Sequence, residues 1–129
     1  MSQPRWLTLR DVIDMHAEQL ALFGGPAGIR DQGLLESAIA RPINQWLYGN
    51  AGLAELAAAY AFGIARNHPF IDGNKRAAFA ALMAFLRLNK IGFRPPSPEA
   101  TAIILELAEG KVSEDGLARW IQDNWPKAP

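Results

Sequence analysis

The chain has 129 residues, half of them hydrophobic and a fifth charged, with no cysteine. That length fits one domain spanning residues 1–129, the apolar content supplies a packed core, and extended disorder is excluded. Thirteen basic residues offset thirteen acidic ones, so the broad positive field of a nucleic-acid-binding domain is missing, and disulfides and thiolate metal sites are excluded outright.

No run of eighteen apolar residues occurs, because Arg66, His68 and Asp72 interrupt the most hydrophobic half. The N-terminal Met-Ser-Gln-Pro-Arg-Trp lacks an apolar signal core. These features, with the absence of cysteine, lead us to expect a soluble cytoplasmic protein with no membrane partner.

Ala, Leu and Ile dominate the apolar set, which favours helices over sheets. Thr8 caps a first helix, with Asp11 in the capping-box position. Val12, Ile13, His16, Leu20 and Phe23 then recur at helical spacing until Gly24-Gly25-Pro26 stops it. After a glycine-rich loop to Arg30, Asp31 caps a second helix carrying Leu34, Leu35, Ala38 and Ile39. This helix is expected to end near Pro42, leaving 43–52 irregular with Trp46, Leu47 and Tyr48 as apolar anchors.

A third, alanine-rich helix runs from Leu53 through Arg66, and its small side chains let neighbours approach closely enough to make it central. Pro69 disfavours the helical region for His68 and ends it. A fourth helix starts near Gly73-Asn74 and runs through Phe79, Met83 and Phe85 to Asn89. Gly92 and Pro95-Pro96 mark a connector, and Ser97-Pro98 supply a cap and a first-turn proline for a fifth helix to about Glu109. Ser113, followed by Glu114 and Asp115, opens a sixth that ends before Pro126. The predicted fold is all-α, a compact single-domain bundle of about six helices with an active-site loop between the two central ones.

That loop is His68-Pro-Phe-Ile-Asp-Gly-Asn-Lys-Arg76, which packs a base, a carboxylate, a glycine, an amide and two cations into nine residues. It precedes a helix N-terminus, where free N–H groups and partial positive charge favour an anion. Gly73 lets that anion approach the backbone, and Asn74, Lys75 and Arg76 surround it with donors suited to a polyphosphate. Asp72 would repel phosphate unless a divalent cation lay between them, so it reads as a Mg²⁺ ligand. His68 has the side chain to accept a proton near neutrality. Phe70 reads as an apolar peg that fixes the loop. Arg66, one helical step earlier, either reaches phosphate or substrate or makes a surface salt bridge.

Each residue alone has a plainer explanation: a helix cap for His68, a turn for Asp-Gly, a solvated pair for Lys75 and Arg76. Together they are hard to reach by accident. If each of five fixed positions matched about one time in twenty, a given window would fit roughly once in a few million. His16, on the apolar face of the first helix, reads as a satisfied core histidine rather than a ligand. The tryptophans at 6, 46, 120 and 125 lack the spacing of a stacking platform and read as packing anchors.

The nine residues resemble the Fic/Doc signature HxFx(D/E)(G/A)N(G/K)R. Phe23-Gly-Gly-Pro-Ala-Gly-Ile-Arg-Asp31, the Leu35–Arg41 helix and Phe85-Leu-Arg-Leu-Asn-Lys-Ile-Gly92 are similar to death-on-curing (Doc) toxins of toxin–antitoxin systems, so the resemblance covers nearly the whole chain. It implies the Fic/Doc-like bundle, ATP as co-substrate, His68 as base, Asp72 on Mg²⁺, and Gly73, Asn74, Lys75 and Arg76 around phosphates. Most Fic enzymes transfer AMP and carry glycine where this chain has Lys75, and a second arginine where it has Phe79. Doc toxins share the lysine and an apolar residue at the later position, and are implied to present the γ-phosphate and phosphorylate a threonine of elongation factor Tu, which stops translation.

Gly73 stands where the Doc archetype has alanine, which leaves AMP transfer open. A non-catalytic module that only forms a repressor complex is a further reading. The inhibitory helix pattern (S/T)xxxE(G/N) fails here, since Leu105 precedes Glu109-Gly110. The brake is therefore expected from a partner antitoxin whose C-terminal segment folds on the protein, with nucleic acid engaged only through that antitoxin.

Overall fold

The alanines of the third helix decide how the molecule packs. In the computed structural model, which describes residues 3–127, six α-helices form: α1 (Leu9–Phe23), α2 (Gln32–Tyr48), α3 (Leu53–Asn67), α4 (Asn74–Leu88), α5 (Ser97–Ala108) and α6 (Glu114–Asp123). Met1 and Ser2, which open the stretch expected to lack a signal core, lie outside the described residues. Ala57, Ala58, Ala59, Ala61, Gly63, Ile64 and Ala65 are all buried, and α3 packs against α2, α4, α5 and α6. Where α3 faces α2, a Cβ on Gly63 would fall 2.9 Å from Ala38 Cβ and 3.0 Å from its Cα. The helices therefore meet almost backbone to backbone, and the larger core residues fill the remaining space.

Tyr60, fully buried on α3, anchors the N-terminal segment. Its hydroxyl accepts from Leu7 N at 3.0 Å and donates to Leu7 O at 3.4 Å. Phe85 of α4 lies tilted against the Tyr60 ring at 5.1 Å and stacks on Trp6 at 6.0 Å. Trp6 in turn meets Trp46 edge-on at 6.2 Å, and Trp120 meets Phe93 edge-on at 5.8 Å, so these indoles pack.

The expected caps form at three helices. Thr8 and Asp11 close a reciprocal capping box, Asp31 accepts from Leu34 N, and Ser113 accepts from Gly116 N. Two boundaries differ from expectation. The second helix runs through Pro42 to Tyr48, so 43–48 is helical rather than irregular. A proline inside a helix costs about 3 kcal/mol relative to alanine, but here its ring is buried and the following turn is held from outside. Arg41 pairs with Glu114 of α6, Gln45 Nε2 donates to Glu114 Oε2 at 2.7 Å, and Trp46 packs on Trp6. The fifth helix begins at Ser97 itself, with Pro96 in the cap position, and no side chain caps it.

No strand forms among the described residues. An isolated antiparallel bridge joins Ile29 to Phe70, bringing the α1–α2 loop onto the α3–α4 loop.

Candidate active site

The α3–α4 loop begins with a forced turn. Asn67 is the last residue of α3, and His68 caps it in the left-handed region at φ 49° and ψ 55°. That conformation costs a non-glycine residue roughly 1–2 kcal/mol and persists only where neighbours impose it. Pro69 disfavours the helical alternative, and the Arg30 guanidinium holds the turn by donating from Nε to His68 O at 2.6 Å and from an η nitrogen to Asn67 O at 2.8 Å. Arg30 N and Asp31 N both donate to Pro69 O, at 2.7 and 3.0 Å, and Ile71 N donates to Gly28 O at 3.1 Å.

Two buried side chains fix the middle of the loop. Phe70 is buried and lies flat on the His16 ring, with centroids 3.7 Å apart and planes 6° from parallel. His16 Nε2 lies 2.7 Å from Asp72 O, and since a carbonyl only accepts, that nitrogen carries the proton. Asn74 is buried at the start of α4, where its Oδ1 accepts from Phe70 N at 2.9 Å and its Nδ2 donates to Phe70 O at 3.0 Å. These two bonds settle the orientation of the amide, so its donor side faces His68 Nδ1 at 3.4 Å.

A cleft of about 690 Å³ opens beside this loop, between α1, α4 and α5. One wall carries His68, Asp72, Gly73, Asn74, Lys75 and Arg76, while Phe79, Met83, Ala100, Ile104 and Leu105 make the other side apolar. Gly73 sits at φ 78° and no side chain caps α4, so the first amides of that helix are open to an anion. A Cβ at 73 would rest at ordinary contact against His16 and Leu20, so the left-handed backbone rather than crowding calls for glycine. Lys75 is exposed, and the Arg76 guanidinium stands 5.1 Å from the Phe23 ring centroid.

Asp72 is half-buried and its carboxylate turns toward the α1–α2 loop, where a Cβ on Gly25 would collide with Oδ2. Among the described residues, no three His, Cys, Asp or Glu side chains gather as a metal site. The lone carboxylate beside an anion site suits Mg²⁺, which keeps waters and takes one or two carboxylates together with phosphate oxygens.

The structure thus brings together His68, Phe70, Asp72, Gly73, Asn74, Lys75 and Arg76 around one loop. Arg66 stands apart: its guanidinium lies 5.4 Å from the Phe62 ring centroid and does not line the cleft. Leu105 lines the cleft, but Glu109 pairs on the surface with Lys111 at 3.7 Å. Nothing in the sequence marks Arg30 or Gly25 as part of the site, and His16 stands out there only as a core residue. Their loop partners lie 38 to 56 positions away, where periodicity and short motifs carry no signal.

Comparison with known proteins finds relatives of this chain. A profile described as Fic/DOC family matches residues 6–86, well over half of the chain. "Protein kinase doc" of Escherichia phage P1 is 31% identical over 115 residues, covering 88% of this chain and 90% of that protein. "Toxin Doc" of Mycolicibacterium smegmatis is 46% identical over 72 residues, covering 54% of this chain and 55% of the relative, so that match spans about half of its length. Among the described residues, no helix is long and apolar enough to cross a membrane.

Proposed function

The chain belongs to the Fic/DOC family, and we propose that it is a Doc-type toxin that moves the γ-phosphate of ATP onto a serine or threonine hydroxyl. The target we propose is a translation factor of the elongation factor Tu class, whose modification stops translation in the cytoplasm. The observation that carries this reading is the meeting of His68, Asp72 and the uncapped N-terminus of α4 on one cleft wall.

In this scheme the open amides of α4, with Lys75 and Arg76, hold the phosphates. The hydroxyl oxygen attacks the γ-phosphorus, the bond to the β,γ-bridging oxygen breaks, ADP leaves, and the hydroxyl proton passes to the His68 imidazole. Asp72 would hold Mg²⁺, which offsets phosphate charge when bound. Asn74 acts by fixing the loop, because both sides of its amide are engaged there. Phe79 supports phosphate over AMP transfer, since it lines the cleft as an apolar group where AMP-transferring relatives are expected to carry arginine. Gly73 supports the alternative of AMP transfer, being the residue of those relatives.

We also propose an antitoxin partner whose C-terminal segment folds along the apolar side of the cleft, where Leu105 is 42% exposed. The pairing of Glu109 with Lys111 outside the cleft fits a brake supplied by another chain.

Incubation with γ-labelled and, separately, α-labelled ATP and purified translation factors tests the reaction. Label is expected on the target from the γ position only; label from the α position alone would replace the kinase reading with AMP transfer. Intact mass separates the two additions. If His68→Ala inhibits growth as strongly as the native chain, the protein is a binding module and not a transferase.

A further inference from the structure

We propose that Arg30 is a positioning residue for His68, acting entirely through the backbone from outside the cleft. The inference rests on the transferase reading, in which His68 accepts the proton. Three successive carbonyls at the end of α3 are taken by one short segment of the α1–α2 loop: those of Asn67 and His68 by the Arg30 side chain, and that of Pro69 by the backbone of Arg30 and Asp31. The guanidinium is suited to this because its planar fork donates to two oxygens at once, which an ammonium group does less well. It also places a cation on carbonyls that carry the partial negative charge of a helix C-terminus. Arg30 makes no ion pair among the described residues, so these carbonyls are its electrostatic partners.

His68 needs such a clamp. Its left-handed conformation is unfavourable in isolation, and it sets the direction in which the imidazole leaves the chain. On the ring side, among the described residues, Asn74 Nδ2 alone approaches, at 3.4 Å, too long to fix the residue by itself. The short bonds are on the carbonyl side, and Arg30 makes them. Arg30 does not line the cleft, whereas Lys75, Arg76 and the amides of α4 do. Removing the clamp therefore leaves the phosphate-binding wall in place and lets the base drift. A base displaced by about 1 Å costs on the order of 10²-fold in rate.

The test compares native protein with Arg30→Met and Arg30→Lys, reading kcat and the KM for ATP, with hydrogen exchange across residues 67–73 as a readout independent of activity. Arg30→Met should lower kcat by about 10- to 100-fold with KM for ATP within about twofold. Exchange should quicken across 67–73 and stay unchanged in the middle of α4. Arg30→Lys should recover part of kcat, since it keeps the charge and loses the fork. A kcat within twofold of native, or KM rising in step with the loss, overturns the proposal. Should the native protein transfer neither phosphate nor AMP, the transferase reading falls on its own. Exchange then judges the clamp: quickening across 67–73 upholds it, and unchanged exchange sinks it.

Discussion

His16 Nε2 lies 2.7 Å from Asp72 O, tying α1 to a loop residue 56 positions away, while the same ring lies flat on Phe70. A buried histidine is thereby made part of the scaffold of the site. His16→Leu removes the donor and leaves a carbonyl short of its partner, which costs about 1–3 kcal/mol. Urea unfolding should show that loss, and transfer to a protein hydroxyl should fall further than the folded fraction does. His16→Gln, which keeps an N–H donor, is expected to lie between the two; equal activity in all three would remove His16 from the site.

Gly25 sets where the Asp72 carboxylate can be. Its φ of 118° and the collision of a Cβ there with Asp72 Oδ2 both forbid a side chain. Gly25→Ala should displace the carboxylate and weaken the response of transfer to added magnesium, raising the concentration needed for half-maximal rate several-fold. The strained backbone adds a cost of about 1–3 kcal/mol, so the melting temperature should fall as well. An unchanged magnesium response would show that Asp72 does not depend on this loop.

Tyr60 makes the fold sensitive to alkali. Burial pushes its hydroxyl from the ordinary value near 10 up to about 12, the Leu7 backbone bond opposes this, and the negative charge of Asp11 adds to it. A tyrosine whose folded-state pKa is raised favours the folded state while it is protonated. That contribution is complete below the unfolded value and is lost as pH rises from about 10 toward 12. Thermal melts from about pH 8 upward should therefore fall steeply above about pH 10. Tyr60→Phe should start about 1 kcal/mol less stable and decline less steeply over that window.

The close contact of α2 and α3 predicts overpacking. Gly63→Ala drives a methyl to 2.9 Å from Ala38 Cβ and should cost about 1–3 kcal/mol. Ala38→Gly added to it should return part of that loss. A double-mutant cycle measures the coupling, and strict additivity would contradict the contact.

These cases separate what the sequence displays from what it hides. The starts of α1, α2 and α6 were legible because their caps are local bonds, as between Thr8 and Asp11 or Asp31 and Leu34. The nine-residue loop was legible for the same reason, with its chemistry in one window. The course of α2 through Pro42 was not, because Glu114, which holds Arg41 and Gln45, lies about 70 positions away. The loop's supports at His16, Gly25 and Arg30 were hidden likewise, since their partners are carbonyls and a carboxylate that only folding brings near.

Asn74 offers the sharpest separation of fold from chemistry. Its amide satisfies the N–H and the C=O of Phe70, both buried, and turns its remaining N–H toward His68. Asn74→Leu orphans both backbone groups, at about 1–3 kcal/mol each, and should unfold much of the protein at 37 °C or sharply lower its melting temperature. Asn74→Asp still accepts from Phe70 N, and a carboxylate suits the first turn of a helix by about 0.3–1 kcal/mol. Its second oxygen, however, faces the Phe70 carbonyl, the His68 ring and the site proposed for phosphate. The aspartate variant should therefore keep most of the native melting temperature while losing transfer by at least about 10²-fold, the scale seen when one positioned group is lost. Finding both variants equally unstable would mean that Asn74 serves the fold alone, and an active, stable aspartate variant would place the phosphates elsewhere on the cleft.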